Sequence, residues 1–265
     1  MSSPGSTSPV PAADIELAGQ LVRSAGRLAA DMRAAGVSTD TKTSITDVVT
    51  DADRAAEALI VDRLAAERPE DGVLGEEGAA RDGASGRRWV VDPVDGTYNF
   101  VSGLSWWCSA LALVDGSSEP DLVLGAVYHP AEDALYVGGP GFGSTRNGVP
   151  LEPIADRPLA TSCVTTYLHP PWYGGEVGDA HQRVVSRAAT QRVLGAGSLD
   201  LAAVAQGQLH VFCQHTVPLW DRLPGQALVL GVGGAARQVE SAGRTWTLIG
   251  APTAVAEAVA ALGET

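Results

Sequence analysis

The chain is predicted to be an α+β or layered α/β protein, and three features of the sequence carry that prediction. Residues 14–35 set Ile15, Leu17, Ala18, Leu21, Val22, Ala25, Leu28, Ala29 and Met32 at helical spacing. Residues 108–114, 122–128 and 135–137 are short apolar runs parted by turn residues, the pattern of neighbouring antiparallel strands. After Pro150, strand-like and helix-like segments are mixed. No internal repeat or linker divides the chain. One catalytic-size unit over 14–265 is therefore expected, with two lobes over about 14–150 and 151–265.

The elements follow in order. The first helix stops at Gly36, a plausible C-terminal cap. Thr50 caps a second helix to about Glu67, with Asp51 and Asp53 in its first turn. Val73-Leu74 is a short strand leading into Gly75-Glu76-Glu77-Gly78, and 81–88 reads as a polar surface loop. Residues 141–148 are hairpin punctuation. Strands are expected at 161–167, 192–194, 209–213, 237–240 and 245–249, and helices at 176–190, 199–206, 220–230 and 253–262.

Composition excludes several function classes. A net charge of −13 argues against nucleic acid or an anionic membrane as partner. No apolar stretch reaches the roughly 20 residues that span a bilayer. Residues 1–13 are rich in Ser, Pro and Gly without a basic-then-apolar pattern, so a disordered tail and a cytoplasmic protein are expected. Cys108, Cys163 and Cys213 are odd in number and sit in apolar contexts, as buried reduced thiols do.

The chemistry concentrates in Trp89-Val90-Val91-Asp92-Pro93-Val94-Asp95-Gly96-Thr97-Tyr98-Asn99-Phe100. An apolar strand runs into two carboxylates, a glycine and a threonine. Oxygen ligands packed at a strand end suit a hard divalent cation such as Mg²⁺, or Mn²⁺. Gly96 lets the backbone approach a ligand, so the Gly96 and Thr97 amides can meet a phosphate. Glu76 and Asp221 are further acids at turn or helix-entry positions, and none of the four has a histidine or cysteine nearby at metal-ligand spacing. Two cations sharing a carboxylate would orient a water and stabilise the attacking and leaving oxygens of a phosphate ester. Thr97 can hold that water or equally cap the next segment. Asp47 reads as a helix-entry acid or as the proton-accepting partner of Thr97.

Two other readings are weaker. Haloacid-dehalogenase phosphatases carry Asp-x-Asp-Gly-Thr, whereas Pro93 and Val94 part the aspartates here and two helices precede the motif. Gly195-Ala196-Gly197-Ser198 is half a dinucleotide fingerprint without its third glycine. His169, His181, His210 and His215 read as structural or surface residues.

Together, Asp47-Val48-Val49-Thr50-Asp51-Ala52-Asp53, Gly75-Glu76-Glu77-Gly78, the 89–100 segment and Trp220-Asp221 with Gly225 and Gly233-Gly234 resemble the inositol monophosphatase family, which are Mg²⁺-dependent, lithium-sensitive sugar phosphatases. The resemblance implies a layered αβαβα sandwich, usually a homodimer. It implies two or three Mg²⁺ ions held by Glu76, Asp92, the Val94 carbonyl, Asp95 and Asp221, with Asp92 bridging. Asp47, Thr97 and Glu76 would be catalytic, and a metal-activated water would attack phosphorus in line. Asp92, Gly96, Thr97, Gly197, Gln214 and Asp221 would contact the substrate. That substrate is a small phosphorylated polyol, by default inositol 1-phosphate, with histidinol phosphate, fructose 1,6-bisphosphate or a 3′-phosphonucleotide as alternatives. A non-catalytic metal- or phosphate-binding regulator is the reading from another class.

The chain also departs from the family pattern. Trp-Asp-x-Ala-Ala-Gly becomes Trp220-Asp221-Arg222-Leu223-Pro224-Gly225, with Pro224 expected in the first turn of its helix. Glu-Ala-Gly-Gly becomes Gly231-Val232-Gly233-Gly234. The acid usual seven residues before Asp221 is Gln214, which donates and accepts but carries no charge. Residues 162–175, with Tyr167, His169, Trp172 and Tyr173, can line the alcohol side of the site and equally suit a dimer or surface loop.

Overall fold

A computed structural model describes residues 10–36, 39–41, 48–116 and 121–264. In chain order the elements are α1 (Ala12–Ala35), β1 (Thr39–Thr41), β2 (Val48–Thr50), α2 (Asp51–Glu67), β3 (Gly72–Gly75), β4 (Ala80–Arg81), β5 (Arg87–Asp95), α3 (Thr97–Val101), β6 (Cys108–Asp115), β7 (Asp121–His129), β8 (Ala134–Gly139), β9 (Gly143–Arg146), β10 (Val149–Pro150), β11 (Cys163–Thr166), α4 (Gly175–Val185), β12 (Thr190–Arg192), α5 (Gly197–Ala205), β13 (Val211–His215), α6 (Leu219–Gly231), β14 (Ala235–Ser241), β15 (Arg244–Gly250) and α7 (Pro252–Leu262).

The strands form an eight-stranded sheet in the order β10-β9-β8-β7-β6-β5-β3-β4 and a five-stranded sheet in the order β12-β11-β13-β15-β14, beside a β1-β2 ribbon. The large sheet is antiparallel except where β3 meets β5, and β11 runs parallel to both its neighbours. Helices α1 and α2 cover the outer face of the large sheet through Leu17, Leu21, Ile60, Trp89 and Leu111. Helices α5 and α6 fill the space between the sheets with Val127, Leu199, Phe212, Leu228 and Ile249. Helices α4 and α7 close the far side over Val164, Val184, Trp246 and Val255. The layers are α, β, α, β, α, as the resemblance implies, and each apolar helix stripe or sheet face finds its cover in the next layer.

Local signals set several elements. Thr50 Oγ1 accepts from the amides of Ala52 and Asp53, and the Asp53 carboxylate accepts from Thr50 N at 2.9 Å, so a complete capping box starts α2. All three cysteines are free and buried. No helix among the described residues is long and apolar enough to cross a membrane.

Other boundaries differ from the sequence reading. Helix α1 begins at Ala12, so residues 12–13 are helix rather than tail, and residues 1–9 lie outside the described residues. The expected 81–88 loop is shortened at both ends by β4 and β5. Arg87 is drawn in because its guanidinium meets Asp14 at 2.6 Å and Asp71 at 3.4 Å. Helix α4 ends at Val185, short of Thr190. The next strand is 190–192 rather than 192–194, since Thr190, Gln191 and Arg192 pair with Cys163, Val164 and Thr165. The 141–148 segment contains strand β9 as well as turns.

Pro224 is the sixth residue of α6, inside the helix rather than in its first turn. It leaves the Trp220 carbonyl without the usual i+4 amide donor. Its own carbonyl lies against β7, where a Cβ built on Gly125 would stand 2.0 Å from Pro224 O. Gly125→Ala is therefore expected to push α6 off the sheet and cost about 1–3 kcal/mol, measured as a lowered urea midpoint. An unchanged midpoint would mean that α6 can shift freely.

Candidate active site

The site begins as an irregularity in β5. Trp89 and Val91 point toward α1 and α2, and Val90 toward α6 through Leu223, so the strand alternates. Asp92, next in the alternation, falls on the α6 side. In a regular strand Asp95, three residues on, would face the other way. The pairing instead shifts from Asp92↔Ala110 to Asp95↔Cys108, three steps on β5 against two on β6. This bulge brings both aspartates to one face. Pro93 has no amide to offer the ladder, and its carbonyl is taken by the Ser109 hydroxyl. The Val94 amide turns back to Asp92 Oδ1 at 3.2 Å.

Asp95 lies against the N-terminus of α5. Its Oδ1 accepts from Gly197 N at 3.0 Å and its Oδ2 from Ser198 N at 2.5 Å. The Gly195-to-Ser198 stretch is thus a helix start that receives a carboxylate of its own chain. Glu76 stands in the turn after β3, with its amide on Val91 O at 3.1 Å. The turn is braced by Glu57, whose carboxylate accepts from Glu77 N at 2.9 Å and Ala79 N at 3.0 Å. Asp221 occupies the first turn of α6.

Glu76, Asp92, Val94, Asp95, Gly96, Thr97, Gly197, Gln214 and Asp221 all border one cavity of about 230 Å³, together with Tyr98, Asn99, Tyr167 and His169. Of the residues singled out in the sequence, Asp47 alone lies outside the described residues. Burial pushes the Asp92 carboxyl well above its ordinary range, and the charges of Glu76, Asp95 and Asp221 push it further. Burial raises Asp95 to about 7 against the pull of the Ser198 and Gly197 amides. Among the described residues no three His, Cys, Asp or Glu side chains form a ready-made cage for one ion. Four carboxylates and a carbonyl border the cavity, and among the described residues no lysine or arginine lines it. That all-oxygen donor set matches a hard divalent cation.

Gly96 (φ +90°) turns the chain from β5 into α3, where a Cβ would stand 3.0 Å from that of Ala196. Thr97 follows, its hydroxyl 3.0 Å from Val94 O and 3.2 Å from Asp53 Oδ1. Asp53 is the residue that sequence reasoning missed in this role. One oxygen closes the α2 cap and the other faces Thr97, and a helix-capping pattern carries no sign of the second use. Burial holds the Asp53 carboxyl above its ordinary value.

His169, read as structural or surface by default, borders the cavity. His181 stays with Thr166 at 3.1 Å, and the His210 ring takes the Cys163 amide at 2.7 Å. Behind the site, buried Asp200 in the first turn of α5 accepts from Trp106 Nε1 at 2.8 Å and Thr165 Oγ1 at 2.5 Å. It joins the loop before β6 to strand β11 in the other sheet.

The family model described as "Inositol monophosphatase family" matches residues 10–262. An inositol-1-monophosphatase of Rhizobium meliloti is 34% identical over 202 residues, covering 75% of this chain and 74% of that one. A fructose-1,6-bisphosphatase/inositol-1-monophosphatase of Thermotoga maritima is 31% identical over 193 residues, covering 73% and 72%. Among solved structures, the extragenic suppressor protein suhB of Bartonella henselae superposes with a TM-score of 0.86 at 27% identity, covering 96% of this chain and 99% of that one.

Burial raises the Asp200 carboxyl to about 6, with the Thr165 and Trp106 hydrogen bonds opposing. The folded protein therefore holds a proton there that the unfolded chain, with an ordinary carboxyl, releases. This group lowers stability as pH rises through the interval from the ordinary carboxylate value to about 6, and is constant above it. Relative to Asp200→Asn, the unsubstituted protein should lose stability across that interval, read from paired urea midpoints. A difference independent of pH would contradict it.

Proposed function

This chain belongs to the inositol monophosphatase family, and we propose that it is a Mg²⁺-dependent phosphomonoesterase of small polyol phosphates, with inositol 1-phosphate as the default substrate. Membership makes the chain a phosphoric monoester hydrolase of a metal-dependent family that acts on small phosphorylated substrates. The observation that carries the finer reading is the acid set on one cavity: Glu76, Asp92, Asp95 and Asp221 line it, and no basic side chain among the described residues does. A phosphate dianion would be repelled from such a cavity unless divalent cations bound first.

In this reading Glu76, Asp92, the Val94 carbonyl, Asp95 and Asp221 would hold the Mg²⁺ ions. The ions supply charge to the phosphoryl oxygens and acidity to the nucleophilic water. The chain supplies position. The Thr97 hydroxyl accepts from the attacking water while donating to Asp53 or to the Val94 carbonyl, either of which orients its lone pairs. Asp47 is proposed to assist from the segment before β2. The Gly96 and Thr97 amides meet phosphate oxygens. The Gly197 amide is already given to Asp95, so Gly197 serves the substrate as a wall without a side chain. Gln214, at the end of β13, offers a neutral donor and acceptor to the alcohol hydroxyls.

The reading is tested by phosphate release with and without Mg²⁺ from inositol 1-phosphate, histidinol phosphate, fructose 1,6-bisphosphate and 3′-phosphoadenosine 5′-phosphate, with lithium added to each positive. Mg²⁺-dependent, lithium-blocked turnover is expected. Thr97→Ala should keep the fold, by circular dichroism, and lose about 10²–10⁴ in kcat; wild-type kcat would remove Thr97 from the mechanism. Asp92→Asn should lower kcat about a hundredfold or more. The same change removes one of several mutually repelling buried acids, so the metal-free melting temperature should hold or rise. A destabilised Asp92→Asn protein with intact turnover would reverse both roles.

A further inference from the structure

Glu76 stands in a turn whose ends are fixed by the sheet. Gly75 N donates to Ala79 O at 2.7 Å, and Glu76 N donates to Val91 O of β5 at 3.1 Å. The middle of the turn is held from outside, by Glu57. Its Oε2 accepts from Glu77 N at 2.9 Å and its Oε1 from Ala79 N at 3.0 Å. Glu57 is only 5% exposed, and a carboxylate so deep is costly to bury unless both its oxygens are bonded.

Glu57 belongs to α2, which Ala56, Ile60 and Leu64 pack onto the large sheet. It follows Asp53 by four residues, so the two acids share one face of the helix. Asp53 Oδ1 lies 3.2 Å from Thr97 Oγ1. One packed helix therefore addresses two parts of the site: the hydroxyl after β5 and the acid-bearing turn after β3. The fit at the turn is close. A Cβ built on Gly75 would stand 2.1 Å from Glu57 Oε2, so a side chain there displaces the carboxylate. Chemistry restricts Glu57 as well. Both its oxygens face N–H donors, and a carboxylate offers two acceptors and no donor, whereas glutamine would turn its NH₂ toward one of the amides.

We propose that Glu57 is a positioning residue that holds Glu76 in place as a metal ligand, through the amides one and three residues beyond it. The role rests on the metal-dependent reading of the site. Glu57 does not line the cavity, so it acts on the ion through the turn and not by contact.

The experiment measures Mn²⁺ binding to the full chain, from the electron paramagnetic resonance signal of the free ion. It compares the unsubstituted protein with Glu57→Gln, Gly75→Ala and the double variant. Glu57→Gln is expected to bind Mn²⁺ about 10–100-fold more weakly, the scale of losing a partner that orients a ligand. Hydrogen exchange at the Glu77 and Ala79 amides of the metal-free protein should quicken. Gly75→Ala keeps the charge of Glu57 but displaces it, so it should weaken binding too. The double variant should bind no more weakly than the weaker single variant, because both changes break one contact. Weakening in Glu57→Gln alone would trace to lost charge and overturn the role. Additive losses, unchanged amide exchange or full Mn²⁺ affinity in folded Glu57→Gln would also overturn it. If Glu57→Gln does not fold, Glu57→Asp, one methylene shorter, carries the test. Phosphate release is followed in parallel. Weakened Mn²⁺ binding in a chain that hydrolyses no ester would sink the phosphatase reading and leave Glu57 its role. Unchanged affinity beside Mg²⁺-dependent turnover would remove the role and leave the reading.

Discussion

The bulge at Asp92–Asp95 is the constraint on which the rest of the site depends. One extra residue in β5, at a position where Pro93 could not have bonded to the ladder, brings both aspartates onto the face that looks into the middle layer. Asp95 then meets the first two amides of α5, and α5 is packed by Leu199 and Leu201 into the core between the sheets. A local backbone feature of the large sheet thereby sets the position of a helix belonging to the other half of the chain. Asp200, in the first turn of the same helix, fastens that arrangement to Trp106 on one side and Thr165 on the other.

The electrostatics follow from the same geometry. Desolvation raises Asp92, Asp95 and Asp200 together, and the helix amides at Asp95 offset only part of it. A folded state that keeps several acids this close is held by packing rather than by local charge balance, as is usual where function competes with stability. Capping residues share the same load. Asp53 closes the α2 capping box with one oxygen and faces Thr97 with the other, so the start of a helix and the orientation of the Thr97 hydroxyl rest on one carboxylate.

The departures from the family pattern sort by what they touch. Pro224 lies inside α6, and the close approach of its carbonyl to Gly125 fits the helix to the sheet at a place that bears no chemistry. Gln214 instead borders the same cavity as the acids.

Much of this was legible in the sequence, and the reason is local. The Thr50 cap, the apolar spacing of α1 and the alternation of β6 and β7 depend on residues within a few positions of one another, so the order of elements and the layered fold could be read from pattern alone. The acids of the site could be named because Asp92, Asp95, Glu76 and Asp221 recur in fixed motifs. The extent of β5, the end of α4 and the register of β12 could not, since each is decided by a partner far along the chain, such as Asp14 for Arg87 or Cys163 for Thr190. The second use of Asp53, the contact of Asp95 with α5 and the meeting of Tyr98 and Tyr167 at one cavity were decided by tertiary structure alone. They are meetings between segments that no local preference brings together, and they exist because two sheets share one middle layer of helices.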